Sequence, residues 1–142
     1  MTTVAYHNES KTIAVDSRET ARDLISTDKA NKFDKVNGEY YVSVGDVEDC
    51  NLLIDIIINN TQCNRDLNAN VMFTKSGKVY NSNYYADDGL RTWEIKRNYT
   101  MGSGEAYALA AMDFECGAKD AVKYAMTRDI YTGGRVRVVV VK

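Results

Sequence analysis

The sequence predicts a single α+β domain over residues 1–142. The 142 residues supply one domain's worth of core. Runs of β-branched and aromatic residues alternate with helical i, i+3, i+4 stripes, and the order along the chain is strands, helix, strands, two helices and a final strand. Runs of strands followed by runs of helices are typical of layered α+β domains rather than of parallel doubly wound sheets.

The composition is that of an ordinary globular protein. The chain is 44% hydrophobic and 27% charged, and 18 Lys and Arg residues nearly balance 20 Asp and Glu residues. A net charge of −2 offers no electrostatic reason for binding nucleic acid or an anionic membrane. No apolar run approaches the roughly 20 residues that cross a bilayer. We therefore expect a cytoplasmic protein with neither partner.

Residues that bind metals are scarce. Cys50, Cys63 and Cys116 form no CxxC pair, their odd number argues against a disulfide framework, and His7 is the only histidine. We expect the cysteines to be small core residues and His7 to be a surface strand residue. We also expect no metal ion and no organic cofactor.

Turn signals divide the first part of the chain into two hairpins. Residues 2–6 and 12–15 are β-branched runs separated by a polar turn. Asn37-Gly38 is a strong hairpin signal between residues 33–36 and residues 40–44.

A helix is predicted from Val47, with Asp46 as its N-cap and acidic residues in its first turn. Its apolar stripe consists of Cys50, Leu53, Ile54, Ile57 and Ile58. Strand signals then return at residues 71–74, 79–80 and 92–95, with a turn at residues 75–78.

Two further helices and a strand complete the chain. Ser103 is the predicted cap of a helix whose apolar side carries Tyr107, Ala110, Ala111 and Phe114, and Gly117 suits its C-terminal αL position. Residues 119–128 predict another helix, with Ala121, Val122, Ala125 and Met126 as its stripe. Residues 136–141 predict a strand that is buried on much of both faces.

Five blocks, in order along nearly the whole chain, resemble proteasome β-type subunits, including the bacterial HslV peptidase. They are Thr2-Thr3-Val4-Ala5-Tyr6 with Ile13-Ala14-Val15-Asp16-Ser17-Arg18-Glu19-Thr20, Lys32-Phe33, Gly45-Asp46-Val47-Glu48-Asp49, Gly102-Ser103-Gly104, and Arg128-Asp129-Ile130-Tyr131-Thr132-Gly133-Gly134. The resemblance implies an N-terminal nucleophile hydrolase, a four-layer αββα sandwich. One helix of its first helical layer is missing, because strand signals follow the first helix directly.

The resemblance implies that Thr2 is the catalytic nucleophile once Met1 is removed. Its own α-amine would be the base, since an α-amine has a reference pKa of about 7.7 to 8.0, close to the working pH. Lys32 would lower the pKa of that amine further by like-charge repulsion, and Asp16 would keep the lysine charged and oriented.

Other site residues are implied by the same resemblance. The backbone N–H of Gly45 would be the oxyanion donor, and Ser103, Asp129 and Thr132 would be supporting polar groups around the terminal amine. Thr20 would pair its backbone with an extended peptide substrate. Candidate pocket walls are Ser43, Val47 and Ala30.

The implied function is a threonine peptidase that cleaves unfolded polypeptides inside a homo-oligomeric ring or stacked rings. A regulatory ATPase would meet the helical layer from which a helix is missing, so its docking surface is altered. Asp46 stands where relatives often have a second glycine beside the oxyanion donor. Two alternatives stay open: a catalytically inactive scaffold or protease-binding subunit, and an amidase that acts on small amides.

Overall fold

The computed structural model describes residues 1–142, which divide into two compact units. Residues 1–33 and 96–142 form the first unit, and residues 34–95 form the second. The strands are β1 (Thr3–His7), β2 (Thr12–Val15), β3 (Glu19–Ala21), β4 (Leu24–Thr27), β5 (Phe33–Val36), β6 (Glu39–Gly45), β7 (Ala69–Lys75), β8 (Lys78–Tyr85), β9 (Gly89–Glu94), β10 (Tyr99–Gly102) and β11 (Arg137–Val140). The helices are α1 (Val47–Asn59), α2 (Glu105–Asp113) and α3 (Ala118–Ala125). None of them is long and apolar enough to span a membrane.

The first unit contains a four-stranded antiparallel sheet in the order β10-β1-β2-β11. Val4 of β1 lies opposite Met101 on one side and Val15 on the other. Helix α2 packs on β1 and β10, and α3 packs on β1 and β2. Alanine dominates the buried cluster between helices and sheet, and its small side chain lets the helix backbones approach the strands closely. A separate hairpin, β3-β4, belongs to the same unit.

The second unit is an antiparallel meander, β5-β6-β7-β8-β9, with α1 packed on β6 and β7. Its core is larger in side-chain volume than that of the first unit. Leu53 and Ile56 of α1 are buried against the sheet, and the rings of Tyr41, Phe73 and Tyr80 stack in series with centroids 5.5 and 5.6 Å apart.

Several local predictions are confirmed. The first hairpin forms from β1 and β2, and Asn37 and Gly38 adopt the positive φ values, 51° and 82°, that a tight hairpin turn requires. Asp46 caps α1, its side chain accepting hydrogen bonds from the N–H groups of Glu48 and Asp49. Residues 60–68 contain no helix, as the strand signals after α1 predicted.

The prediction for α2 is wrong in its cap, its face and its end. Gly104, not Ser103, is the N-cap, and no side chain bonds to the first turn. Tyr107 is 41% exposed and Phe114 is 85% exposed, while Ala108 and Met112 are buried. Of the four predicted residues only Ala111 is buried. The tightly spaced helix–sheet interface selects small residues, so the large aromatic side chains do not mark the buried face.

Gly117 and the last strand also differ from expectation. Gly117 is the N-cap of α3 with a φ of −75°, and Glu115 occupies the αL position after α2. Strand β11 is an edge strand, and its Val138 and Val140 are exposed rather than buried. Strands β3, β4 and β10 carried no signal that led to their prediction.

The expectations for the single residues are met in part. All three cysteines are free, but only Cys50 is buried, since Cys63 and Cys116 are half-buried. His7 ends β1 in a half-buried position, and its Nδ1 lies 2.7 Å from the Ser10 hydroxyl.

Candidate active site at the amino terminus

Asp16 is the buried centre of the candidate site. It follows β2 directly and has no exposed surface. Its Oδ1 accepts a hydrogen bond from the Lys32 ammonium at 2.9 Å and from the Thr3 N–H at 3.1 Å, and its Oδ2 accepts one from the Gly133 N–H at 3.2 Å. A buried carboxylate needs such partners because desolvation opposes its charge. Asp16 thus links three distant segments of the chain.

Lys32 extends from Asp16 to the first peptide bond. Its side chain is 9% exposed, and its Nζ donates to the Met1 carbonyl oxygen at 2.8 Å. That carbonyl belongs to the bond between Met1 and Thr2. The structure therefore brings a fixed, nearly buried cation to the residue that sequence reasoning named as nucleophile.

The backbone of Thr2 is held on its other side by the loop after β10. The Ser103 N–H donates to the Thr2 carbonyl oxygen at 2.9 Å. Gly102, with φ of 101°, allows this approach, because a Cβ at position 102 would overlap the Thr2 carbonyl group. Met1 is 61% exposed, whereas Thr2 is half-buried.

Ser103, Asp129 and Thr132 form one hydrogen-bonded cluster. The hydroxyl groups of Ser103 and Thr132 each donate to Asp129 Oδ2 at 2.6 Å, and the Tyr131 N–H donates to its Oδ1 at 3.1 Å. Burial of Asp129 is the largest single effect and raises its pKa, but these donors and the positive terminal amine together outweigh it. The net result is a pKa for Asp129 below its ordinary value, so the carboxylate is an anion that attracts the terminal amine.

Thr3 was missed by sequence reasoning and belongs to the same cluster. It is fully buried, its Oγ1 accepts from the Gly104 N–H at 2.9 Å, and it lies 2.6 Å from the Thr132 Oγ1. Because Thr132 donates its only proton to Asp129, the Thr3 hydroxyl must donate to Thr132. A directed chain of donors therefore runs from Gly104 through Thr3 and Thr132 to Asp129. The sequence signal for Thr3 is a polar residue at a position of β1 that faces the core.

Arg18, just before the hairpin β3-β4, bonds to Asp28 just after it and to Ile130. Its Nε donates to Asp28 Oδ1 at 2.8 Å, its Nη2 to Asp28 Oδ2 at 3.2 Å, and its Nη1 to the Ile130 carbonyl at 2.9 Å. The hydrogen bond with Arg18 lowers the pKa of Asp28 and raises the pKa of Arg18. A Cβ at Gly133 would overlap the guanidinium, so a side chain there would force Arg18 to shift.

The remaining predicted residues have other surroundings. Thr20 lies in the middle of β3, opposite Ile25 of β4, and the Ala30 N–H bonds to the Ser17 carbonyl oxygen. Gly45, Ser43 and Val47 all belong to the second unit. Gly45 ends β6 with φ of 125°, and a Cβ there would overlap the Asn68 carbonyl oxygen.

Ser43 and Val47 differ sharply in exposure. Ser43 lies in β6 opposite Val71 and its side chain bonds to Cys50, whose thiol pKa is raised by burial despite that bond. Val47 is 76% exposed at the first turn of α1. Residues 1–142 contain no group of three His, Cys, Asp or Glu side chains arranged to hold a metal ion.

The arrangement around Thr2 can support nucleophilic chemistry with proton transfer. A cation lies at the preceding peptide group, an anion lies within electrostatic reach of the Met1 amine, and three hydroxyl groups form a hydrogen-bonded cluster with that anion. Such a constellation of nucleophile, base and orienting groups is typical of covalent catalysis.

Comparison with known proteins gives a clear result for the fold. No protein-family model matches the sequence, and a search of curated proteins finds no match. Solved structures do match. Eukaryotic HslV from Trypanosoma brucei is similar over 96% of this chain and 97% of its own, with a TM-score of 0.70 and 16% identity. BPH from Thiobacillus denitrificans, in complex with epoxomicin, covers 99% of each chain with a TM-score of 0.71 and 16% identity.

A second structure of BPH, covering 100% of this chain and 99% of its own, has a TM-score of 0.69 at 16% identity. Similarity over the whole length at this level establishes a shared fold, while function is argued from the site. The predicted fold class is confirmed: the chain has the α+β fold of HslV and BPH over nearly its whole length.

Proposed function

We propose that the protein is a threonine peptidase whose nucleophile, Thr2, is exposed by removal of Met1. The observation that carries the proposal is the position of Lys32, which bonds at once to buried Asp16 and to the carbonyl oxygen of Met1. Burying an ammonium group costs desolvation free energy. Because Lys32 is nearly buried and bonds to a backbone carbonyl group of the terminal segment, we infer that its charge has a role at that segment.

The first step would be attack by the Thr2 hydroxyl on the carbonyl carbon of a peptide substrate. The Thr2 α-amine takes the hydroxyl proton as the C–O bond forms. In this proposal the like charge of Lys32 disfavours protonation of that amine, and the anionic Asp129 cluster orients it. The protonated amine then gives its proton to the leaving nitrogen as the C–N bond breaks, leaving an ester on Thr2.

Hydrolysis of that ester would complete the reaction. The amine takes a proton from a water molecule as the water attacks the ester carbonyl carbon. It returns that proton to the Thr2 oxygen as the ester C–O bond breaks, which releases the acid product and restores the hydroxyl. The N–H of Gly45 is the proposed oxyanion donor. The Asp46 carboxylate beside it accepts two N–H groups of α1, an arrangement that directs its charge to the helix terminus.

The proposed substrate is an unfolded polypeptide. Thr20 would pair its backbone with an extended substrate, and Ser43, Val47 and Ala30 would form walls that select side chains. We further propose that the chain works in a homo-oligomeric ring or stacked rings. We also propose a regulatory ATPase as a partner. Its docking surface is altered, because residues 60–68 form a loop where relatives carry a helix.

The test combines the intact mass of the purified protein with hydrolysis of fluorogenic peptides. We expect loss of Met1, and we expect hydrolysis that Thr2→Ala abolishes and Thr2→Ser retains in part. Thr61→Ala is the matched control, since Thr61 is an exposed threonine in the second unit. Equal rates for Thr2→Ala and the unchanged protein would exclude Thr2 as nucleophile.

Two other outcomes define the alternatives. A retained Met1 together with no hydrolysis would favour an inactive scaffold or protease-binding subunit, because the Met1 carbonyl oxygen then stays bonded to Lys32. Hydrolysis of small amides without hydrolysis of a peptide library would favour an amidase. Epoxomicin, the ligand in the BPH complex, provides a further probe: we expect it to raise the melting temperature of the protein but not that of Thr2→Ala.

A further inference from the structure

A basic groove lies between α3 and the edge strand β11, in the first unit. It has a volume of about 530 Å³, and four cationic residues line it together with Val136 and Val138. The cations are Lys119, Lys123, Arg135 and Arg137. No acidic residue lines the groove. None of the residues proposed for peptide cleavage lies in it.

The four cationic residues of the groove have no acidic partner. None of them takes part in a salt bridge within residues 1–142. Arg137 is held in place by backbone carbonyl groups, its Nε donating to Ala30 at 3.3 Å and its Nη2 to Lys29 at 3.4 Å. Uncharged acceptors fix its direction without cancelling its charge. The groove therefore concentrates positive charge in a chain whose net charge is −2.

Lys119 and Lys123 are one helical turn apart on α3 and point into the same groove. Like charges at i and i+4 destabilise a helix by about 0.2–0.5 kcal/mol per pair. Cationic residues on an edge strand often protect that edge from aggregation. Lys119 and Lys123 belong to a helix, so this explanation does not apply to them. Their shared direction is better explained by an anionic ligand.

Strand β11 has an open edge. It pairs with β2 on one side, with Arg137 opposite Val15 and Val139 opposite Ile13, and it has no partner strand on the other. The Val141 N–H bonds to the Lys11 carbonyl oxygen of the β2 side. Since the direction of backbone groups alternates along an antiparallel strand, the N–H and C=O groups of Val138 and Val140 point to the open edge.

The floor of the groove is apolar as well as open. Val136 packs in the core, and Val138 is 40% exposed in the groove. Val140, beyond the groove on the same face of β11, is 55% exposed. Helix α3 packs on β1 and β2, leaving these two valines uncovered. An occupant would therefore meet free backbone groups, apolar side chains and four cations.

We propose that this groove binds an acidic polypeptide segment in extended conformation, which adds to β11 as a fifth strand of the sheet. Main-chain hydrogen bonds to Val138 and Val140 hold the segment, and its carboxylates face the lysines and arginines. A small inorganic anion would satisfy the cations but leave the edge and the exposed valines unused. The proposal is independent of the peptidase activity.

The test measures binding of a fluorescein-labelled peptide of alternating Glu and Val residues, with blocked ends, by fluorescence anisotropy. Thr2→Ala protein is used throughout, so that hydrolysis of the probe cannot interfere. We expect saturable binding that weakens with salt. Lys119→Gln/Lys123→Gln should lower the affinity at least about tenfold. The matched control, Lys75→Gln/Lys96→Gln, removes two exposed lysines outside the groove. It should change the affinity for the peptide less than about twofold.

A second arm tests strand addition. A probe N-methylated at alternate residues keeps its charges but loses its hydrogen bonds along one edge, and we expect it to bind at least about tenfold more weakly. Equal binding of the two probes, or competition by tripolyphosphate at equal charge, would assign the groove to small anions and overturn the proposal. The absence of saturable binding, or an equal loss in the control variant, would overturn it too.

Discussion

Two carboxylates, one in each unit, hold distant segments of the chain in different ways. Asp16 has no exposed surface, and its cationic partner Lys32 is 9% exposed. Asp49 of α1 is bound to Arg65 at 2.7 Å and to the Asn68 N–H at 2.8 Å, but the Arg65 side chain is 48% exposed. Both carboxylates are buried, but the cation of the first pair is nearly buried, whereas the cation of the second pair lies at the surface.

The Asp16–Lys32 and Asp49–Arg65 pairs also position different parts of the chain. Asp16 directs a cation to the amino terminus, where water would otherwise screen its charge. Asp49 fastens residues 60–68 to the start of α1, so that a loop completes the second unit where a helix is missing. Burial is thus associated with the candidate chemistry, and exposure with the fastening of a loop.

The largest effect is expected from Asp16→Ala. It leaves the Lys32 ammonium without its counter-ion and the N–H groups of Thr3 and Gly133 without this acceptor, and breaking a buried pair in this way costs about 3–5 kcal/mol. Urea unfolding followed by circular dichroism would measure the loss. Asp49→Ala is the matched variant of the exposed pair, and an equal or greater loss of stability from it would contradict the comparison.

Thr3→Val should have the next largest effect. The valine fills the same space but leaves the buried Gly104 N–H without an acceptor, at a cost of about 1–3 kcal/mol. Peptide hydrolysis should also fall, because Thr132 loses the donor that orients its proton toward Asp129. Thr3→Ser retains the hydroxyl and should recover most of both losses. If Thr3→Ser and Thr3→Val are equally impaired, the hydroxyl has no part in the cluster.

Asp49→Asn should have a smaller effect on stability. The amide keeps the shape of the side chain but weakens the interaction with the exposed Arg65 guanidinium, which salt already screens. We expect the melting temperature to fall by roughly 5 °C or less, and the difference from the unchanged protein to shrink in high salt. A difference that persists in high salt would indicate that the neutral hydrogen bonds dominate.

The smallest effect concerns the pH dependence contributed by Asp129. Its pKa is below the ordinary value of 3.8, so the folded state favours the ionised form. The stability that it contributes is complete above the unfolded-state pKa and is lost as the pH falls through the folded-state pKa. Asp129→Asn should therefore lower the melting temperature near neutral pH, and this difference should disappear in acid. A constant difference across the pH range would show that ionisation is not involved.

Local rules predicted the elements whose ends are specified by local chemistry. The Asn37-Gly38 turn and the Asp46 cap depend on backbone conformations and side-chain acceptors within a few residues, and both are confirmed. The same reasoning failed for Ser103. Its hydroxyl is drawn from the helix terminus to Asp129, 26 residues away. A long-range charge-assisted bond outweighs a local cap.

Burial was less predictable than periodicity. The valines at the end of the chain predicted a strand that is buried on both faces, but β11 lies at a sheet edge beyond the reach of α3. In α2 the aromatic side chains predicted the wrong face, because the close approach of the helix to the sheet admits alanine there. Which neighbour covers a face depends on strand order, and strand order has no signature within a single element.

The sequence by itself determined the α+β class, the principal turns, the cap of α1 and the residues from which the site is drawn. Only the tertiary structure decided how those residues meet: Lys32 at the Met1 carbonyl group, Thr3 as a member of the Asp129 cluster, and β11 as an open edge beside four cations. The reason is physical. Turns and caps depend on interactions a few residues apart, whereas buried charges and edges depend on segments that only folding brings together.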